Sequence, residues 1–233
     1  MNRITTGLLT IAVYCALATP AGAAIIIGTP GDDVLSGGDG PDVIFGRGGN
    51  DTLTGNGDGD VLLGGAGNDT LFPGEGDQAH GEGGDDTAWP RGLTVVTLGP
   101  GADWAGVSGQ GATVFGGADG DTIELSPVSS SSTVFGGAGD DRISAFTTGQ
   151  NTIDAGRGND TIVLGQAGFN TAFGGPGDDV FTLGFASNQN TLDGGRGFDA
   201  ITLSGGSYPS TGNTCLQMES VTDDSGGNDC PQS

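Results

Sequence analysis

The chain has 233 residues, of which 50 are glycine and 29 are acidic, against six arginines and no lysine, for a formal net charge of −23. So strong a negative charge argues against nucleic acid as a partner and against charge-driven attachment to anionic lipid. The glycines follow no three-residue period, which excludes collagen, and a regular apolar column separates the chain from a disordered acidic polymer.

Residues 1–23 read as a secretory signal peptide. Asn2 and Arg3 form a short basic start, Leu8 to Ala18 a mostly apolar stretch, and Ala21-Gly22-Ala23 a cleavage site, with cutting expected after Ala23. The mature chain is therefore expected outside the cytoplasm, extracellular or periplasmic. No other apolar run is long enough to cross a bilayer, so no membrane span is expected. Cleavage removes Cys15 and leaves Cys215 and Cys230. In an exported chain two cysteines read as one disulfide, worth about 3 kcal/mol on chain-entropy grounds.

Residues 24–27 (Ala24, Ile25, Ile26, Ile27) form an apolar lead-in, expected as a first strand or a cap over the open end of a stack. From Gly28 to Trp89 the chain repeats in nines: GTPGDDVLS, GGDGPDVIF, GRGGNDTLT, GNGDGDVLL, GGAGNDTLF, then a shortened PGEGDQAH, then GEGGDDTAW. Each unit carries an Asp (Asp33, Asp42, Asp51, Asp60, Asp69, a slipped Asp77, Asp86). Two positions later comes a residue for the interior: Leu35, Ile44, Leu53, Leu62, Leu71, Ala79 and Ala88. A fixed short period with one acid and one inward residue is a solenoid pattern. Glycines allow the tight turn, and a strand of about three residues follows. Two units make a coil of about 18 residues, and each strand lies parallel to the strand two units on.

Only Glu75, Glu82, Glu124 and Glu219 are glutamates; every other acid is the shorter Asp. Short carboxylates at fixed turn positions suit calcium, a hard cation taking about 6–8 oxygen ligands. The units resemble the RTX (hemolysin-type) calcium-binding nonapeptide G-G-x-G-x-D-x-U-x. That resemblance implies an all-β, right-handed parallel β-roll, with calcium between successive turns on the same edge, held by turn carbonyls and Asp side chains.

After Trp89 the beat of nine disappears but the motif returns as GPGADWA, GGADGDTI, GGAGDDRI, AGRGNDTI, GGPGDDVF and GGRGFDAI, with Asp103, Asp121, Asp141, Asp160, Asp179 and Asp199. The spacing is now one motif per coil. Alternate aspartates of the first half join these into one column from Asp33 to Asp199. The other edge holds Asp42, Asp60 and Asp77 and then turns neutral. Intervals between same-edge turns set an upper estimate of about 11 ions. The residue before each column Asp is often Asp or Asn (Asp32, Asn50, Asn68, Asp85, Asp140, Asn159, Asp178), expected to bond locally within its turn. The organisation expected is thus 1–23 signal peptide, 24–89 two-edged roll, 90–204 its continuation with one calcium edge, and 205–233 a C-terminal cap with a strand around Leu216–Val221 and the disulfide.

Inward columns continue as Ala105, Ile123, Ile143, Ile162, Phe181 and Ile201, then Leu125, Ala145, Leu164, Leu183 and Leu203, and opposite them Val114, Val134, Ile153, Ala172 and Leu192. Trp89 and Trp104 flank small inward residues, either patching a junction between two coil types or forming an exposed aromatic binding site. Thr113, Thr133, Thr152, Thr171 and Thr191 form an outer ladder, as an ice-binding face would or as exposed strands commonly do. Catalysis has little support: the single histidine is His80, and a zinc site needs more His or Cys. The expectation is a non-enzymatic calcium binder. An adhesion module recognising glycan or ice, and a polysaccharide-acting enzyme on a β-solenoid, are the alternatives.

Overall fold

The computed structural model describes residues 22–146, 149–165, 168–184, 189–203 and 213–223, with residues 220–223 described by backbone alone. The expected signal peptide lies, but for Gly22 and Ala23, outside the described residues. So do Cys230 and its expected pairing with Cys215.

Among the described residues every regular element is a strand, and the strands form two parallel sheets of 11 each. Successive strands alternate between the sheets, so each coil contributes one strand to each: a parallel β-solenoid. Register follows the repeat: Ile25 pairs with Val43, Val43 with Val61, and Val34 with Thr52. The lead-in Ile25–Ile27 is a first strand, hydrogen-bonded into the stack. No break separates residues 24–89 from 90–204; both sheets run through.

Strand lengths differ between the two sheets. In the second sheet they span two to four residues, from Val34–Ser36 to Ala200–Leu203, close to the expected three. In the first sheet nine consecutive strands, from Val43–Gly48 to Thr191–Arg196, span six residues each, because pairing continues into the glycine turn. The C-terminal segment holds two strands where one was expected, Thr214–Leu216 and Ser220–Asp223. Gln217, at φ 51, turns the chain between them.

The interior is a narrow double wall of one or two side chains per strand. Leu35, Ile44, Leu53, Leu62 and Leu71 are fully buried, as are Val114, Ile123, Ile143, Ile153, Ile162, Phe181 and Ile201. Where Ala79, Ala88 and Ala105 leave less apolar volume, Leu98 points inward at the position that pairs with glycine in the next coil (Gly99 aligns with Gly117, hence Leu98 with Gly116). Strand alternation puts every second residue outside. Hence Thr113, Thr133, Thr152, Thr171, Thr191 and Thr214 align rung by rung on the outer face of the first sheet. Beside them Phe115 and Phe135 stack at 4.9 Å.

Candidate metal centre

Every expected ligand is buried at a turn. Asp33, Asp51, Asp69, Asp86, Asp103, Asp121, Asp141, Asp160, Asp179 and Asp199 stand above one another on one edge of the roll, and Asp42, Asp60 and Asp77 on the other. The columns are tied by one repeated hydrogen bond: the backbone N–H of each Asp donates to Oδ1 of the Asp one coil later. On the long edge these bonds measure 2.6 to 2.9 Å from Asp33 through to Asp199. Asp199 N–H donates in turn to Oε2 of Glu219 at 2.6 Å. Glu219 is therefore an eleventh rung, legible in the sequence only as an acid 20 residues beyond Asp199.

The second oxygen of each carboxylate is the informative one. Oδ2 of Asp51, Asp69, Asp86, Asp103, Asp121, Asp141, Asp160, Asp179 and Asp199, with Asp60 on the other edge, is buried without a hydrogen-bond partner. Such groups cost free energy and rarely persist unexplained. Asp33, which has no earlier coil to cap, instead leaves Oδ1 unpaired while Oδ2 accepts from the N–H and hydroxyl of Thr29. Asp42 and Asp77 use Oδ2 for Gly38 N–H at 2.6 Å and Gly74 N–H at 2.7 Å.

The surroundings of these oxygens are other oxygens. Oδ2 of Asp51 and the carbonyl oxygen of Gly64 crowd the same side of Gly46, where a Cβ would strike both. The carbonyl oxygens of Arg47 and Gly49 lie beneath Gly65 and Gly67 of the next coil, which turn at φ 114 and φ 120. A side chain there would displace the carbonyl and also suffer the left-handed conformation. Among the described residues no three His, Cys, Asp or Glu side chains converge. The donor set is therefore about one carboxylate per turn plus backbone carbonyls, all hard oxygen. This fits calcium and excludes a thiolate or imidazole metal. Bound there, the cation supplies the positive charge that the orphaned oxygens lack.

Burial without a countercharge shifts these groups. Desolvation pushes Asp86 and Asp121 up to about 7, and Asp60, Asp69, Asp103, Asp141, Asp160 and Asp179 up to about 6. The accepted backbone N–H bond opposes the rise and neighbouring carboxylates add to it. Asp51 and Asp199 move in the same direction for the same reasons.

The residues before the column aspartates bond from coil to coil rather than within their own turn. Asn50 N–H donates to Asp32 Oδ1 at 2.7 Å, Asn68 N–H to Asn50 Oδ1 at 2.8 Å, and Asp178 N–H to Asn159 Oδ1 at 2.9 Å. This exposed ladder runs opposite in direction to the buried one. With its side-chain oxygens engaged, it acts as a second tie between coils.

The neutral edge holds a feature the sequence reading missed. After Asp77 the same rung is occupied by Thr94, Ala112 and Ser132, and then by Asn151, Asn170, Asn190 and Asn213. From Ser132 to Asn213 each N–H donates to Oδ1 of the next asparagine, at 2.9 to 3.0 Å. Nδ2 of Asn151, Asn170 and Asn190 donates to that same next Oδ1 at 3.1 to 3.2 Å. The available signal was an Asn immediately before Thr152, Thr171, Thr191 and Thr214, recurring at coil spacing. His80 sits on the outer face of the first sheet between Leu63 and Thr97 and joins no such array.

The family profile of the RTX calcium-binding nonapeptide repeat matches residues 27–62, 46–77, 54–89, 129–146, 147–166 and 162–189, together more than half of the chain. No curated protein matches the chain. Among the described residues no helix is long and apolar enough to cross a membrane. With its repeats stacked into a parallel solenoid whose turns present buried, partnerless aspartate oxygens, the chain belongs to the RTX calcium-binding nonapeptide repeat family.

Proposed function

We propose that this protein is an exported, non-enzymatic calcium-binding β-roll whose folding is driven by calcium. The observation that carries this reading is the run of buried carboxylate oxygens with no donor within reach. Stacked without cation or proton, they repel one another across successive coils, and the core between the sheets is thin. An ion that binds the assembled turns and not the open chain stabilises the fold by mass action. Calcium-binding extracellular modules commonly work at roughly 10⁻⁴–10⁻³ M, which suits a chain kept open in a calcium-poor cytoplasm and folded after export. Export rests on the leader-like residues 1–23. The role is binding rather than catalysis, since the carboxylates are committed to the turns. Circular dichroism tests the folding claim: little β signal in chelator and a strong one in millimolar calcium is expected. Equal β signal in both would overturn it.

A further inference from the structure

The outer face of the second sheet carries a cleft that the calcium turns do not use. Both tryptophans of the chain lie in it, with ring centroids 4.5 Å apart and planes tilted by 56°. Trp89 is 43% exposed. The benzo end of the Trp104 indole lies over Gly106, in the place a Cβ would take, so any larger residue at 106 would lift the ring off the sheet. Glu124 stands beside Gly106 in register and is exposed. Phe72 and Phe146 bound the two ends along the roll axis, and Arg91 lines the rim. The space is about 780 Å³, within the range of ligand sites. It spans four strand steps, roughly 19 Å at about 4.8 Å per step. It centres on residues 90–128, between the two blocks that the repeat profile matches.

We propose that this cleft binds a linear, neutral oligosaccharide. Pyranose rings offer apolar C–H faces and hydroxyl edges, and the cleft offers aromatic surface alternating with one carboxylate and one guanidinium. Among the described residues neither the Glu124 carboxylate nor the Arg91 guanidinium has a hydrogen bond or ion pair, so both are free to engage hydroxyls. Their opposite charges favour a neutral ligand, and a net charge of −23 opposes an acidic one. A wholly apolar ligand would cover Glu124 without satisfying it. The two indoles touch each other, which leaves a platform rather than a cage and disfavours a lone ammonium ligand. The cleft extends over about four strand steps along the axis, so it accepts a chain rather than a single sugar. The proposal goes beyond calcium binding and depends on it only for the folded state.

Because Trp89 and Trp104 are the only tryptophans, indole emission reports on this cleft alone. Calcium-loaded protein would be titrated with cellohexaose, xylohexaose, maltohexaose, laminarihexaose and chitohexaose, with choline and a hexauronate as further arms. A saturable emission change with at least one neutral hexasaccharide is expected. Trp89→Ala should weaken binding at least about tenfold, as loss of an aromatic anchor does. Glu124→Gln, at an exposed position, should weaken it severalfold while leaving the β signal in calcium unchanged. No response to any neutral hexasaccharide, a response to choline or the uronate alone, or affinity unaltered in both variants would overturn the proposal. Any of these with calcium-dependent folding intact leaves the calcium reading standing; failure of the wild-type chain to fold in calcium would strike that reading instead.

Discussion

Asn151 sends two hydrogen bonds to one atom: its backbone N–H and its Nδ2 both reach Oδ1 of Asn170, at 3.0 and 3.1 Å. On the opposite edge Asp141 N–H reaches Oδ1 of Asp160 at 2.8 Å in the same arrangement, but Oδ2 of Asp141 has no partner. The two edges share a backbone geometry and differ in one atom per rung. An amide supplies its own donor. A carboxylate needs a cation or a proton from outside. One molecule thus holds two versions of the same turn, one whose side chain supplies its own donor and one that leaves a carboxylate oxygen without a partner.

Replacing Asp141 separates its two roles. Asp141→Asn keeps the oxygen that caps Asp121 N–H and should lose about one or two bound ions, read by native mass spectrometry. Asp141→Ala removes that cap too. It should be less stable than Asp141→Asn by about 1–3 kcal/mol, the cost of a buried unpaired N–H, in urea melts at saturating calcium.

Asn170→Ala tests the neutral edge. It removes the acceptor of both Asn151 donors and should destabilise by about 2 kcal/mol. The ion count by native mass spectrometry should stay at the wild-type value. A fall in ion count would show that calcium reaches this edge as well.

The raised carboxyls set a pH dependence with opposite signs in the two metal states. Without calcium, the folded state holds protons that the open chain, with carboxyls near 3.8, has released. The stability contributed by these groups is therefore fully present below about pH 3.8 and is lost as pH rises through about 6 to 7. In chelator, β signal should be greater at pH 4 than at pH 8. With calcium, protons compete for the same oxygens, so the calcium concentration for half-folding should fall between pH 5 and pH 8. Circular dichroism over a grid of pH and calcium reads both trends.

Glu82 stands at φ 76 in a position that pairs with Gly65 of the preceding coil. A left-handed turn costs such a residue roughly 1–2 kcal/mol, whereas glycine loses up to about 1 kcal/mol of chain entropy. The first term exceeds the second, and Glu82 also raises the Asp69 carboxyl through its charge. Glu82→Gly should therefore stabilise by about 0.5–1 kcal/mol in thermal melts at saturating calcium.

Periodicity alone determined the coil, the parallel sheets, the inward columns and the aspartate edge from Asp33 to Asp199, because each is a property of position within a repeat. Glu219 and the asparagine ladder were less legible. Coil length varies on the neutral edge, and equivalence there follows from stacking rather than from a constant interval. Only the tertiary structure decided which oxygen of each carboxylate is satisfied, since the N–H that caps it comes from a residue 17 to 20 positions earlier. The meeting of Trp89 and Trp104 over Gly106 was likewise settled by tertiary structure. It depends on how adjacent coils align and on which ring finds the space a glycine leaves.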